Sequence, residues 1–133
     1  MHITLEADYA VRIVWCLAQE KRRMDAKAIS DITCVTLRFS LKILRKLVAS
    51  GIVRSYKGVQ GGYELARQLS EISLMDVIEA VEGRYVLSKC LSDSYECSRG
   101  MSGKCCFQRV FSEVSSMVEK KLEEYTFDKF IDT

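Results

Sequence analysis

The chain of 133 residues contains no proline, one tryptophan and one histidine. The absence of proline leaves every helix free of proline kinks and removes proline-rich linkers. His2 sits at a terminus expected to fray, so no nucleophile–histidine pair or histidine-based acid–base pair is available, and no cofactor motif of an enzyme is present. No apolar run approaches the length that spans a bilayer. The first residues, MHITLEADYAV, carry acids where a secretory leader needs a basic and then an apolar stretch. These absences favour a cytoplasmic, non-enzymatic protein with no membrane partner. A further deficit is local. From Ile32 to Tyr63 there is no acid, while Arg38, Lys42, Arg45, Lys46, Arg54 and Lys57 bring six positive charges.

What is present supports a folded domain. Hydrophobic residues make up 48% of the chain, enough for a core. Net charge is only +2, yet residues 1–67 hold twelve Lys/Arg against six Asp/Glu, and residues 68–133 hold eight against twelve. A near-neutral protein with one basic segment points to a local polyanion site. The plainer alternative is a solvated face. Six cysteines in a cytosolic chain suit metal, redox or core roles better than a disulfide framework.

Cap and stop residues predict the order of elements. Thr4 opens a helix to about Gln19, with Tyr9, Ala10, Ile13, Val14 and Leu17 on its apolar face. After the polar connector EKRRM, Asp25 opens a short helix with Ala28, Ile29 and Ile32 inward. Thr33-Cys34-Val35 is a tight link, and Thr36 opens a third helix that stops at Gly51. Ile52–Tyr56 and Tyr63–Ala66 are strand-forming runs around the glycine-rich turn KGVQGG, hence a β-hairpin. Ser73 and Asp76 form a variant capping box for a fourth helix ending near Gly83. Residues 84–104 read as a polar loop. A long helix then starts at Cys105 or Cys106, and Phe107, Val110, Phe111, Val114, Met117, Val118, Leu122 and Tyr125 form one apolar stripe along it.

Helix–helix–helix–strand–strand is the order of a winged helix-turn-helix. The expected fold is mainly α with a small β-hairpin wing and a long C-terminal dimerisation helix. The expected organisation is a DNA-binding domain at 1–83, a cysteine-bearing sensor loop at 84–104, and a dimerisation helix with its tail at 105–133. The third helix should enter the major groove. Arg38, Lys42, Arg45 and Ala49 share one face by spacing, and Leu37, Leu41, Leu44 and Val48 share another. Candidate DNA contacts are Thr36, Arg38, Phe39, Lys42, Arg45 and Arg54, with Lys57 and Gly58 at the wing tip. The glycine-rich turn lacks the Lys-Ser/Thr of a nucleotide-binding loop and opens no helix. Val110, Val114, Met117, Val118 and Leu122 are the candidate dimer contacts, because their stripe is too long for so small a core to cover. Two-fold symmetry then implies a palindromic double-stranded operator.

The runs ADYAVRIVWCLA, FSLKILRKLVASGIVRSYKGVQGGYELAR and EISLMDVIEAVEG closely resemble the Rrf2 family, the IscR- and NsrR-like bacterial transcription regulators. The GGY after the wing and the EISLMDVIEAVEG pattern carry the resemblance most specifically. It implies a homodimeric regulator, read here as a repressor, of a family many of whose members sense iron, nitric oxide, redox state or iron–sulfur supply. One departure is the order Phe39-Ser40-Leu41, where the family places leucine directly after the aromatic. Periodicity puts Leu41 on the apolar stripe, whereas the family pattern points it toward DNA.

Cys90, Cys97 and Cys105 are separated by six and seven residues in the polar loop, with Cys106 adjacent. This spacing fits no zinc-ribbon pair. The resemblance implies that the three thiolates ligate an iron–sulfur cluster of two-iron or four-iron type. The family's histidine position, three residues after the last cysteine, holds Gln108. The resemblance makes Asp8 of the second subunit a fourth ligand, with Glu6 nearby and Cys106 as another option. Asp8 could equally be a favourable acid at a helix start. Cys16 and Cys34 read as packing residues. Two other readings stay open: a cluster-free thiol switch, and a regulator acting through a partner protein.

Overall fold

Four side chains start four helices. In a computed structural model that describes residues 2–131, the Thr4 hydroxyl accepts from the Ala7 amide at 3.2 Å and opens α1 (Leu5–Glu20). Asp25 accepts from Ala28 at 2.8 Å and opens α2 (Ala26–Thr33). Thr36 accepts from Phe39 at 3.2 Å and opens α3 (Leu37–Ala49). Ser73 and Asp76 exchange reciprocal bonds at the start of α4 (Leu74–Glu82). Each satisfies backbone donors that a helix end leaves unpaired. All four caps are the ones expected from the sequence.

α1 lies at the centre and packs on α2, α3 and α4. Its Ala7, Ala10, Ile13, Val14 and Leu17 are buried together with Ile29, Ile43, Leu44, Leu47, Val77 and Ile78. Ile32 does not join them. It is exposed, and the inward face of α2 is Ile29 with Thr33. The Thr33 hydroxyl can go inside because it donates to the Ile29 carbonyl at 2.7 Å.

The wing consists of β1 (Val53–Tyr56) and β2 (Gly62–Leu65), antiparallel, with Val53 opposite Leu65 and Tyr56 opposite Gly62. Met24 adds a third edge: its amide donates to the Tyr63 carbonyl at 2.9 Å, and the Tyr63 amide donates back at 2.7 Å. Met24 itself is buried, so the polar connector ends in a core residue.

Residues 84–104 contain one 3₁₀ turn, Lys89–Leu91, and otherwise irregular turns. The loop leads into α5 (Cys106–Glu123). The apolar stripe of α5 is divided. Val114, Val118 and Leu122 are half-buried, and the last two line a cavity shared with Ile78 and Tyr85. Phe107, Val110, Phe111 and Met117 are exposed. After α5 the chain turns back through a 3₁₀ turn, Phe127–Phe130, and Phe127 is buried in the core. The Leu74 amide donates to Tyr125 and the Phe127 amide donates to Ile72, both at 2.9 Å. The far end of α5 is thereby stitched to the body.

Candidate nucleic-acid interface and cysteine loop

α3 buries Ser40, Ile43, Leu44 and Leu47. This corrects the apolar face expected from spacing: Leu44 is inside, Val48 is half-buried, and Leu37 and Leu41 are exposed. The cause lies in the link before α3. Cys34 adopts a left-handed conformation, φ 59°. The Val35 carbonyl then accepts from Ser30 Oγ at 2.5 Å and from Ser40 Oγ at 3.5 Å. Ser40 is small and its hydroxyl is satisfied, so it can occupy the inward position that a sequence pattern assigns to leucine. Helical geometry then turns Leu41 outward.

Thr36, Leu37, Arg38, Phe39, Leu41, Lys42 and Arg45 line one shallow, open surface. Among the described residues no carboxylate lies within ion-pair distance of Arg38, Arg45 or Lys57. Lys46 differs. It donates to Glu6 Oε1 at 2.7 Å and to the Val81 carbonyl at 3.0 Å, tying α3 to α1 and α4. Lys42 is 3.9 Å from the same Glu6 oxygen. One acid distant in sequence thus tempers the acid-free stretch. Phe39 is half-buried with its ring edge-on to Tyr9, centroids 5.4 Å apart, which seats the start of α3 on α1.

The wing is braced from below. Arg23 lies over the Tyr56 ring at 3.4 Å from its centroid, donates to the Gln60 carbonyl at 3.1 Å and sits 3.8 Å from Glu64. Tyr56 in turn donates to Glu64 at 2.6 Å. Two glycines make this possible. A Cβ on Gly61 would fall 2.6 Å from the Tyr56 carbonyl oxygen, and one on Gly62 would fall 2.6 Å from that of Met24. At the tip, Gly58 has φ +92° beside Lys57, and Arg54 is exposed on β1 opposite Glu64. Lys57→Ala is expected to weaken binding to every duplex and to lower the salt slope by about one. Arg23→Ala should weaken binding with the slope unchanged, because Arg23 holds the wing and not a phosphate. Anisotropy titrations across salt concentrations separate the two. An unchanged slope for Lys57→Ala would remove it from the interface.

All six cysteines are free thiols. Cys90, Cys97 and Cys105 are half-buried and Cys106 is exposed. Cys90 Sγ is 3.2 Å from Ser88 Oγ. Backbone amides of Met101 and then Arg99, with the Arg99 charge and the Gly100 amide, hold the Cys97 thiol below its ordinary pKa. Cys105 is the residue before α5, and Cys106 is the first residue in it. Gln108 clamps the loop: its Oε1 accepts from Gly103 and its Nε2 donates to the Cys90 carbonyl, both at 2.9 Å. The Ser115 hydroxyl accepts from the Leu87 amide at 2.9 Å, which fixes the loop's start against α5. The thiols are not gathered: among the described residues no three His, Cys, Asp or Glu side chains form a metal-holding group. Asp8 is on the first turn of α1 and pairs with Arg12 at 2.8 Å. Cys16 is buried, which pushes its thiol up, whereas Cys34 is exposed and not a packing residue.

The family model Rrf2, described as iron-dependent transcriptional regulator, matches residues 3–133. The chain belongs to the Rrf2 family. Its members are DNA-binding transcription regulators, not enzymes. This Rrf2 chain is 27% identical over 129 residues to the transcriptional regulator NsrR of Shouchella clausii, covering 95% of this chain and 85% of that one. Its fold matches T. potens IscR with a TM-score of 0.73 at 22% identity, covering 98% and 85% of the two chains. It also matches CymR, the global cysteine regulator of B. subtilis, with a TM-score of 0.75 at 19% identity over 98% and 95%. The winged-helix architecture expected from element order is therefore the observed one. No described helix is long and apolar enough to cross a membrane. Arg23, Met24 and Phe127 went unnoticed in the sequence, and Glu6 was read only as an acid near Asp8, because each acts through a tertiary partner.

Proposed function

We propose that this Rrf2 regulator is a cytoplasmic homodimeric repressor that reads a palindromic operator with α3 and the wing, and whose affinity is set at the 84–104 loop. The supporting observation is that Arg38, Arg45 and Lys57 face outward without a carboxylate partner among the described residues. Arg38, Lys42 and Arg45 would contact bases or nearby phosphates, and Lys57 would grip the backbone.

The donor set at the loop suits an iron–sulfur cluster: three half-buried thiols, none in a disulfide, on one irregular segment, soft donors of the kind iron–sulfur centres use. Cys90, Cys97 and Cys105 would hold it, with Asp8 of the second subunit or Cys106 completing the set. The cluster would supply a reactive centre for iron, nitric oxide or redox signals. Gathering the thiols requires the loop to rearrange around Gln108. Since the loop joins the winged body to α5, its closure would reset the spacing of the two DNA-reading heads.

A thiol switch is the second reading, supported by the Cys97 thiol, which backbone amides on an irregular loop hold below its ordinary pKa, and by the fold likeness to CymR, a cysteine regulator of which an oxidised form has been solved from Staphylococcus aureus. Anaerobic purification with iron and sulfide analysis separates them. Under the cluster reading the protein is brown, serine at any one of Cys90, Cys97 or Cys105 abolishes the absorption, and Asp8→Ala leaves an altered or labile centre. A triple serine variant that still bound iron and sulfide stoichiometrically would exclude this loop as the site. Colourless protein whose DNA affinity responds to oxidant, and loses that response in Cys97→Ser, would establish the thiol switch.

A further inference from the structure

The outward face of α3 is not simply basic. Leu37 is 41% exposed and Leu41 40% exposed, and both lie on the surface that Thr36, Arg38, Lys42 and Arg45 line. Two leucines in the middle of a polyanion-binding face do nothing for phosphate contact, since they offer neither charge nor hydrogen bond. They contribute little to the core, whose side of α3 is Ser40, Ile43, Leu44 and Leu47. A protein partner for such leucines would have to be strongly acidic to tolerate the three flanking cations. Duplex DNA meets the charge requirement and also presents one apolar group in the major groove, the C5-methyl of thymine.

We propose that Leu37 and Leu41 are specificity-determining residues that read thymine methyl groups in each half-site. The inference rests on α3 lying in the major groove, as in the function proposed above. The side chains are four residues apart, about 6 Å along the helix at 1.5 Å per residue. Base pairs stack about 3.4 Å apart, so the two leucines reach positions about two steps from each other. Arg38, Lys42 and Arg45 surround them and fix the register through phosphates or neighbouring base edges. The reversal Phe39-Ser40-Leu41 has a consequence here: burying Ser40 is what places Leu41 at the reading position.

The test uses the full-length protein in the form that binds DNA. A random-sequence duplex library is selected with the wild type, Leu37→Ala and Leu41→Ala. The wild-type site is then resynthesised with deoxyuridine in place of each thymidine, which removes only the methyl. The wild type is expected to select thymine at two positions about two steps apart in each half-site. It should bind about four-fold more weakly for each methyl removed there, from the loss of one buried carbon. Leu41→Ala should bind the thymine and uracil duplexes equally at its position. Leu41→Met, apolar and of similar volume, should restore the difference. Equal wild-type binding to thymine and uracil duplexes at every position would overturn the proposal. Arg38→Ala and Lys42→Ala tell the two levels apart. If they weaken binding while uracil is silent, only the methyl reading fails. If they too leave affinity unchanged, α3 is not in the groove and the underlying function reading fails with it.

Discussion

Glutamate at both Val110 and Met117 is expected to convert the protein to a folded monomer whose operator affinity falls by about a hundred-fold or more, the factor by which linking two binding modules commonly exceeds one. Val110 is 52% exposed and Met117 64%, so neither change should disturb the core. Together with Phe107 and Phe111 they form an apolar face on one side of α5. A contiguous exposed face of this kind marks an interface. A two-fold pairing would cover it with its own copy and hold two recognition helices at a fixed separation, about 10 bp or a multiple of it. Val118 and Leu122, half-buried against their own chain, would add less. Light scattering together with a circular dichroism spectrum checks this. A dimer surviving both substitutions would place the interface elsewhere.

Phe127→Ala is expected to cost about 3–5 kcal/mol, the usual range for a fully buried phenylalanine truncated in place. Phe127 is 1% exposed and sits edge-on to Phe130 at 6.2 Å between centroids. It anchors the returning tail that bonds to Ile72 and Leu74. Against a typical domain stability of about 5–15 kcal/mol this is a large fraction. Urea denaturation should show a lower midpoint with an unchanged slope. A loss below about 1 kcal/mol would mean that the pocket collapses around the smaller side chain. The position bears on the proposed coupling as well. α5 is held to the body at its far end through Tyr125 and Phe127, whereas its near end is held by the cysteine loop, so under the proposed function a change in that loop would move the near end relative to the winged body.

Thr4, Asp25, Thr36 and the Ser73/Asp76 box were legible in the chain because capping is decided within four residues, and the structure uses each as expected. The hairpin around KGVQGG and the long terminal helix were legible for the same reason, since turn chemistry and helical spacing are local. The acid-free stretch located the candidate DNA face. Three things were decided only by tertiary structure. The rotation of α3, which put Ser40 inside and Leu37 and Leu41 outside, follows from the Val35 carbonyl bonding two serine hydroxyls, and hydrophobic periodicity counts a serine as polar wherever it sits. The assignment of Lys46 to a structural ion pair follows from Glu6, forty residues away. The division of the α5 stripe, with Leu122 against the body and Val110 and Met117 in the open, follows from α5 packing on α4, where Val118 and Leu122 meet Ile78 and Tyr85. For Lys46 and for the α5 stripe the deciding partner is remote in sequence, and for α3 it lies five residues off in the preceding link; a one-dimensional pattern records which residues can be buried without recording what they will meet.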